Sequence, residues 1–297
     1  MNFPFVRYRK IYYILAVILI VGSLAVMALF GLKLGIDFTG GSILEVEFKN
    51  SRPTNEEIAS QLKSFDLGNF TVQPIGENGT IVRMKEIDEE IHQEILKKLE
   101  EKNELNEMRF ELIGPTVGKE LSQKTKVIIG GGLLAIVVYV AFAFWKVSRP
   151  VSSWRYGITS LLTLSFDILI ATGIFSLLGH FYNAEFTIPI VTALLVILGY
   201  SINNVVVVFD RVRENILISR QEDFSEIVDK SINQTLTRQL NTSLTTLFTL
   251  LAIFFLGGET LRYFSLTLIL GISFGTFSSI FLAGPILVSW SRTGKKS

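Results

Sequence analysis

Long apolar runs alternate along the chain with one polar segment, residues 32–126, in which apolar positions recur only at short intervals. A helix that rises about 1.5 Å per residue needs roughly 20 apolar residues to cross a hydrocarbon core about 30 Å thick. We therefore predict six transmembrane helices, at residues 11–31, 127–145, 157–178, 186–209, 240–256 and 263–290. The first run is longer than the core of a typical signal peptide, which has about 7–15 residues, and so predicts a membrane anchor.

The fifth and sixth runs carry residues that a transmembrane helix must accommodate. The fifth is short and rich in threonine, serine and asparagine, but hydroxyl groups can donate hydrogen bonds to carbonyl groups of their own helix. The sixth contains Pro285, which we expect to kink or end the helix. Small residues at Gly271, Gly275 and Ser279 predict close packing of this helix against a neighbour.

Lysine and arginine residues are concentrated in alternate connections between the predicted helices. They occur before the first helix, after the second, after the fourth and after the sixth, and include Arg7, Arg9, Lys10, Lys146, Arg149, Arg155, Arg211, Arg213 and Lys295. Connections rich in these residues remain in the cytoplasm. We therefore predict a multi-pass protein of the cell membrane, surrounded by lipid, with both termini in the cytoplasm and residues 32–126 outside it.

The polar segment has the pattern of a separate α+β domain. Residues 42–48 alternate as in a strand, and Thr54 with Glu57 forms a capping box before a helix. A hairpin of two strands follows, then a helix capped by Asp88 and a last strand at 108–113. The order β-α-β-β-α-β predicts a ferredoxin-like sandwich. The predicted fold class is an integral membrane α-helical bundle with an α+β ferredoxin-like extracytoplasmic domain, divided at residues 1–31, 32–126 and 127–297.

Charge and residue counts argue against several classes of function. The formal net charge of +1 gives no basic field for nucleic acid. The chain has no cysteine and two histidines, His92 and His180, so a thiolate or histidine metal site is not expected. No nucleophile arrangement or phosphate-binding loop stands out. The sequence therefore predicts no enzyme activity, no catalytic residue, no metal and no cofactor.

Asp167 lies near the middle of the third predicted helix. An ionised carboxylate at that depth costs at least about 2.5–3.5 kcal/mol on insertion scales. Two interpretations remain open: a neutral acid that serves only helix packing, or a group inside the bundle that responds to protons or other ions. The second makes Asp167 a candidate ion-coupling residue.

Other polar residues lie near the cytoplasmic ends of the fourth and fifth predicted helices. Asn203 and Asn204 predict hydrogen bonds between helices, since amides at that depth need partners. Asp210, Arg211 and Arg238 are charges of the kind found where a helix leaves the membrane.

Three blocks of the sequence resemble the SecD/SecF family of the bacterial protein translocase. The first is GIDFTGG at residues 35–41, which contains Asp37, Gly40 and Gly41. The second covers residues 199–215, with Asn203, Asn204, Asp210 and Arg211, and is similar to the fourth helix of SecF. The third consists of residues 231–238 and 241–243 and is similar to SecF at the start of its fifth helix.

This resemblance implies a SecF-like subunit in a bundle related to RND transporters. Its implied partners are a SecD-like subunit, the SecYEG channel and the exported polypeptide, which the outer domains are expected to bind. The implied activity is assistance to the late steps of export by means of the proton gradient or, in some members, the sodium gradient.

The fourth-helix block departs from the family at one position. The family usually has aspartate at the position of Asn204 and assigns ion conduction to it, whereas an amide cannot lose a proton near neutral pH. Arg238 matches the family arginine near the ion path. Either coupling depends on an acid elsewhere, with Asp167 and the SecD-like partner as candidates, or the complex assists export without it.

Two further functions remain as alternatives. One is a non-conducting subunit that assembles or stabilises a Sec complex, which Asn204 favours. The other is half of an RND-type exporter of small molecules, which would require an apolar substrate pocket.

Overall fold

The computed structural model of the protein describes residues 3–145, 151–218 and 223–293. Lys146, Arg149 and Lys295, which contribute to the predicted orientation, lie outside these residues. The chain divides into two compact units, one formed by residues 34–126 and the other by the helices on either side of them. The elements, in chain order, are α1 (Arg9–Phe30), α2 (Ile36–Thr39), β1 (Gly41–Phe48), α3 (Asn55–Leu62), β2 (Thr71–Ile75), β3 (Gly79–Met84), α4 (Glu89–Glu100), β4 (Leu105–Ile113), α5 (Pro115–Ala143), α6 (Ser153–Tyr182), α7 (Ile188–Ile218), α8 (Phe224–Leu256), α9 (Glu259–Ser278), a π-helical turn (Ser279–Ala283) and α10 (Gly284–Thr293).

Six helices in the described part of the chain are long and apolar enough to cross a membrane. They are α1, α5, α6, α7, α8 and the continuous helix formed by α9, the π-helical turn and α10. The prediction of six membrane-spanning helices is confirmed. Helices α5 and α8 extend well before their apolar runs, because polar residues at a helix end can remain helical outside the hydrocarbon.

The smaller unit is a four-stranded antiparallel sheet in the order β2-β3-β1-β4, with α3 and α4. Its core contains Leu44, Val46, Ile58 and Ile95, all fully buried. The capping box at Thr54 is present, and Asp88 accepts a hydrogen bond from the backbone of Ile91 at the start of α4. Together with the six long helices, this sheet confirms the predicted fold class.

Strand β4 begins at Leu105, three residues before the prediction of 108–113. The register between β1 and β4 shifts at Glu45 and Val46, which pair with Arg109 and Glu107. Met108 is therefore an extra residue in β4, as in a β-bulge. A bulge interrupts the alternation of side chains, so the sequence pattern did not predict the first part of the strand.

Helix α9 packs closely against α7 because two of its residues lack side chains. A Cβ atom at Gly271 would lie 2.1 Å from Cδ1 of Ile197, and a Cβ atom at Gly275 would lie 2.1 Å from Oγ of Ser201. Larger residues at these positions would force the helices apart. The predicted role of these glycines in close packing is confirmed.

The sixth membrane-spanning helix does not end at Pro285. It continues to Thr293 as α10, and the interruption is the π-helical turn directly before Gly284. A proline lacks an N–H group, and its ring collides with the carbonyl group four residues earlier, here that of Phe281. The wider π-helical turn relieves this collision, so the helix passes through the proline.

Candidate functional site

The block GIDFTGG forms a tight connection inside the smaller unit. Residues 36–39 make the single turn α2, in which Asp37 is half-buried, and the two glycines that follow adopt positive φ angles of 76° and 132°. A Cβ atom at Gly40 would lie 2.7 Å from Cα of Pro115, and one at Gly41 would lie 2.7 Å from the carbonyl oxygen of Met84. The glycines therefore allow α2 to contact the start of α5 and the end of β3.

Asp167 is fully buried between α6, α7 and α9, with 0% of its surface exposed. The polar groups that face its carboxyl group are the hydroxyls of Ser278 and Ser201, both buried. A Cβ atom at Gly275 would lie 3.4 Å from Oδ2 of Asp167. Neither carboxyl oxygen, nor the hydroxyl of Ser201, has a well-formed hydrogen bond within the described part of the chain. The carboxyl group of Asp167 therefore lies inside the bundle among neutral polar groups of α7 and α9.

Asn203 and Asn204 differ in burial, because adjacent residues of an α-helix point about 100° apart. Asn204 is 2% exposed, and its Nδ2 atom has no hydrogen-bond partner among the described residues. Asn203 is exposed and lines a cavity of about 420 Å³ between α7 and α5, together with Tyr139 and Ile202. Hydrogen bonds from both amides to neighbouring helices therefore stay a prediction.

The second and third blocks bind each other through side chains of α7 and α8. Asn215 is buried, and its Nδ2 atom donates to Oγ of Ser231 and to Oε1 of Gln234, both at 2.8 Å. Arg211 donates from Nε to the same oxygen of Gln234 at 2.6 Å and forms an ion pair with Glu214 at 2.5 Å. The two blocks therefore hold the ends of α7 and α8 together.

Asp210 contributes little to this network. It is exposed, and its nearest charged partner is Arg213, at 4.0 Å on the same helix. Exposed pairs of this kind contribute little to stability.

A contact that the sequence did not predict joins the N-terminal segment, residues 3–8, to α8. Asn233 accepts a hydrogen bond from the backbone N–H of Phe3 and donates one to its carbonyl group, both at 2.9 Å. Asp229 accepts from the backbone N–H of Val6 at 2.8 Å. Phe5 and Val6 are buried in an apolar cluster of the helical unit. The bonded residues are more than 220 positions apart, so no local pattern predicts these hydrogen bonds. The only signal in the sequence was that Asn233 belongs to the third block.

A second unpredicted set of hydrogen bonds connects α8 with α7, with α9 and with the π-helical turn. Ser243 bonds to Thr276 at 2.6 Å and accepts from the hydroxyl of Tyr200 at 3.3 Å. Gln239 accepts from Ser279, the first residue of the π-helical turn, at 2.7 Å. The predicted hydrogen bonds from hydroxyls to their own helix are also present, from Thr242, Thr245, Thr246 and Thr249.

Arg238 is not among the residues that face Asp167. Its side chain is exposed on α8, beside the equally exposed Asn241, and forms no ion pair with any residue that the structure describes. Asp167, in contrast, lies fully inside the bundle. The two candidate ion-coupling residues are therefore not brought together within this chain. No cluster of three or more acidic, histidine or cysteine side chains suited to a metal occurs in residues 3–145, 151–218 and 223–293.

Comparisons with known proteins extend these observations. Residues 91–293 match the family model described as protein export membrane protein SecD/SecF, C-terminal, and residues 25–51 match the SecD/SecF GG motif. The chain is 40% identical to protein translocase subunit SecF of Thermobaculum terrenum, over 97% of this chain and 93% of that one. It is 37% identical to SecF of Vibrio alginolyticus, over 95% and 88% of the two chains.

A solved structure is similar along nearly the whole chain. The crystal structure of SecDF, a translocon-associated membrane protein from Thermus thermophilus, superimposes with a TM-score of 0.87 and 32% identity. The match covers 98% of this chain and 39% of that one. The chain therefore belongs to the SecD/SecF family of protein export membrane proteins.

Proposed function

We propose that the chain is a SecF-type accessory subunit of a protein translocase, and that it acts with a SecD-like subunit and the SecYEG channel in late steps of polypeptide export. Similarity to SecF proteins over more than nine-tenths of the chain is the observation that carries this proposal. The three sequence blocks favour protein export over small-molecule export. In this arrangement both termini are cytoplasmic, and residues 34–126 contact the exported polypeptide on the outer side of the membrane.

The SecD-like subunit covers the exposed polar side of α7 and α8. Tyr200 lies opposite Ser243 and Asn215 opposite Ser231, so the antiparallel helices bring Asn203 to the level of Asn241. Arg238 and Asn241 are exposed and form no side-chain hydrogen bond in the described part of the chain. Lipid cannot satisfy such groups, whereas polar side chains of a neighbouring helix can.

The proposed partners can be tested by isolating the chain from its native membrane. We expect a SecD-like subunit and SecYEG to be isolated with it. Replacing both Arg238 and Asn241 by leucine should reduce the recovered SecD-like subunit by at least about tenfold, which corresponds to ~1.4 kcal/mol. The control is Thr249→Val, since that exposed hydroxyl donates to its own helix. Absence of both partners from the wild-type preparation would contradict the proposal.

We further propose that the subunit couples export to the proton or sodium gradient through Asp167. One charge that moves through ~100 mV releases about 2.3 kcal/mol, enough to shift conformations that differ by a few kcal/mol. The buried carboxyl group, faced by two serine hydroxyls, supports this role. In this proposal Asp167, on α6, supplies the ionisable group for coupling that Asn204, on α7, cannot supply.

A subunit that assembles the complex without conducting ions is the second candidate, and Asn204 is the observation that favours it. The two functions differ in ion flux. Proteoliposomes that contain the chain with its SecD-like partner should acidify when an inward proton gradient is imposed during translocation. Absence of flux together with normal export would favour the assembly role.

A further inference from the structure

The π-helical turn Ser279–Ala283 lies at a junction of three parts of the helical unit. It begins directly after Ser278, whose hydroxyl faces Asp167. It ends directly before Gly284, which packs on α8. Single π-helical turns inside α-helices are rare and occur frequently at functional sites.

The residue directly before the turn, Ser278, faces the buried acid Asp167. Ser278 donates to the carbonyl oxygen of Gly275 at 3.2 Å. If Asp167 is ionised, its carboxylate competes with that carbonyl for the hydroxyl hydrogen of Ser278. The groups that face Asp167 from α7 and α9 are neutral: Ser201, Gly275 and Ser278. The charge of Asp167 therefore decides how the helix is hydrogen-bonded one residue before the turn.

The turn itself contacts α8. Ser279 donates to Gln239 at 2.7 Å. A Cβ atom at Gly284 would lie 2.9 Å from side-chain atoms of Val228 and Ile232. Because each residue of an α-helix contributes about 100° of rotation, a change from π-helical to α-helical winding would turn Gly284 against these side chains. Helix α8 would then have to move with it.

The turn also contacts the N-terminal segment. The ring of Phe281 packs against the ring of Phe5 in this segment, with 5.7 Å between centroids. It also packs against Tyr12 at the start of α1, with 4.9 Å between centroids. The same segment is held to α8 by Asp229 and Asn233. Asp229 and Asn233 directly follow Val228 and Ile232 in the sequence of α8. The same part of α8 therefore contacts both Gly284 and the N-terminal segment.

We propose that the π-helical turn Ser279–Ala283 is a hinge, through which a change in the charge of Asp167 moves α8 and releases the N-terminal segment formed by residues 3–8. The inference rests on the proposed role of Asp167 in coupling. Pro285 alone accounts for the π-helical turn. It does not account for the position of Ser278 beside the buried acid, of Ser279 and Gly284 beside α8, or of Phe281 beside the N-terminal segment. The hinge thereby links the interior of the bundle to the end where α7 and α8 meet.

Hydrogen exchange measured by mass spectrometry on the full chain with its SecD-like partner tests this hinge. Asp167→Asn imitates the neutral acid, and we expect exchange at the backbone of Val6 to become at least about tenfold faster. Asp167→Glu retains the carboxyl group and should leave exchange near the wild-type rate. In Pro285→Ala the turn can become α-helical, so the added Asp167→Asn substitution should no longer accelerate exchange at Val6.

The control for Pro285→Ala is Pro189→Ala, because Pro189 lies in the first turn of α7, where proline is tolerated without a kink. Thermal unfolding of Pro285→Ala and Pro189→Ala is measured in parallel, and a cooperative transition in both shows that a lost response is not lost folding. The hinge is wrong if Asp167→Asn does not change exchange at Val6, or if the response persists in Pro285→Ala. If the exchange response occurs but Asp167→Asn leaves gradient-stimulated export unchanged, the hinge stands and the coupling role of Asp167 fails.

Discussion

Asn215 of α7 donates its side-chain amide to the hydroxyl of Ser231 on α8 at 2.8 Å. The two residues belong to different blocks of SecF-like sequence, so this hydrogen bond joins the two blocks directly. They hold α7 and α8 together at the end of the bundle where the N-terminal segment also binds α8.

Replacing Asn215 by alanine should destabilise the helical unit. The buried hydroxyl of Ser231 would lose its donor from α7, which costs about 1–3 kcal/mol, whereas Oε1 of Gln234 would keep the hydrogen bond from Arg211. Thermal unfolding of the isolated chain in detergent measures the change. Asn203→Ala is the matched control, since Asn203 is an exposed amide on the same helix. Equal unfolding temperatures for the two variants would contradict the structural role of Asn215.

Gly40→Ala should destabilise the smaller unit more than Gly76→Ala. Both glycines have positive φ, which costs other residues about 1–2 kcal/mol. Only at Gly40 does the added methyl group collide with Pro115, for a further ~1–3 kcal/mol. Unfolding of residues 34–126 can be followed in the full chain by hydrogen exchange in a urea series. Equal losses of stability would show that the contact with Pro115 is not restrictive.

The capping box of α3 should make the smaller unit sensitive to acid. Glu57 accepts the backbone N–H of Thr54 at 2.9 Å, and this hydrogen bond holds the pKa of its carboxyl group below its ordinary value. A lowered pKa in the folded state stabilises the fold above the unfolded value of about 4.3, and this stabilisation is lost as the pH falls through the folded value. Resistance of α3 to pepsin should therefore fall between about pH 5 and pH 3.

The variant Glu57→Gln isolates that effect. It should be cleaved faster than the wild type at the upper end of the pH range, and the two rates should converge at the lower end. Glu90→Gln, which neutralises an exposed acid of α4, is the control and should follow the wild type throughout. A constant difference between Glu57→Gln and wild type across the range would exclude the carboxylate as the cause.

Asn204→Asp should restore an acid where SecF-like sequences usually have one. The side chain is 2% exposed and its Nδ2 atom has no partner among the described residues, so the new carboxyl group would be buried inside the bundle. We expect export in vesicles to gain gradient dependence and a changed response to pH. If neither property changes, the identity of residue 204 does not limit coupling in this protein.

The sequence predicted the fold class because each element leaves a local pattern. Runs of apolar residues indicated six membrane-spanning helices, and the capping box at Thr54 indicated the start of α3. Two features had no such pattern. The bulge at Met108 interrupts alternation, and the π-helical turn depends on how Pro285 is accommodated in a packed helix.

The candidate site could be predicted only in part. Depth in a helix was enough to single out Asp167, but which residues face it depends on packing, and the sequence did not indicate Ser201 and Ser278. The sequence also did not show that Asn203 is exposed while the adjacent Asn204 is buried. The binding of Phe3 by Asn233 joins residues 230 positions apart, and short-range patterns contain no information about it.

Gradient-stimulated export through Asp167→Asn tests the coupling claim most directly. The measurement is translocation of a secretory polypeptide into vesicles that contain SecYEG, the SecD-like subunit and this chain, with and without a proton or sodium gradient. We predict that Asp167→Asn abolishes the stimulation by the gradient while translocation without the gradient is retained, and that Asp167→Glu restores much of the stimulation. Undiminished stimulation in Asp167→Asn would contradict the account.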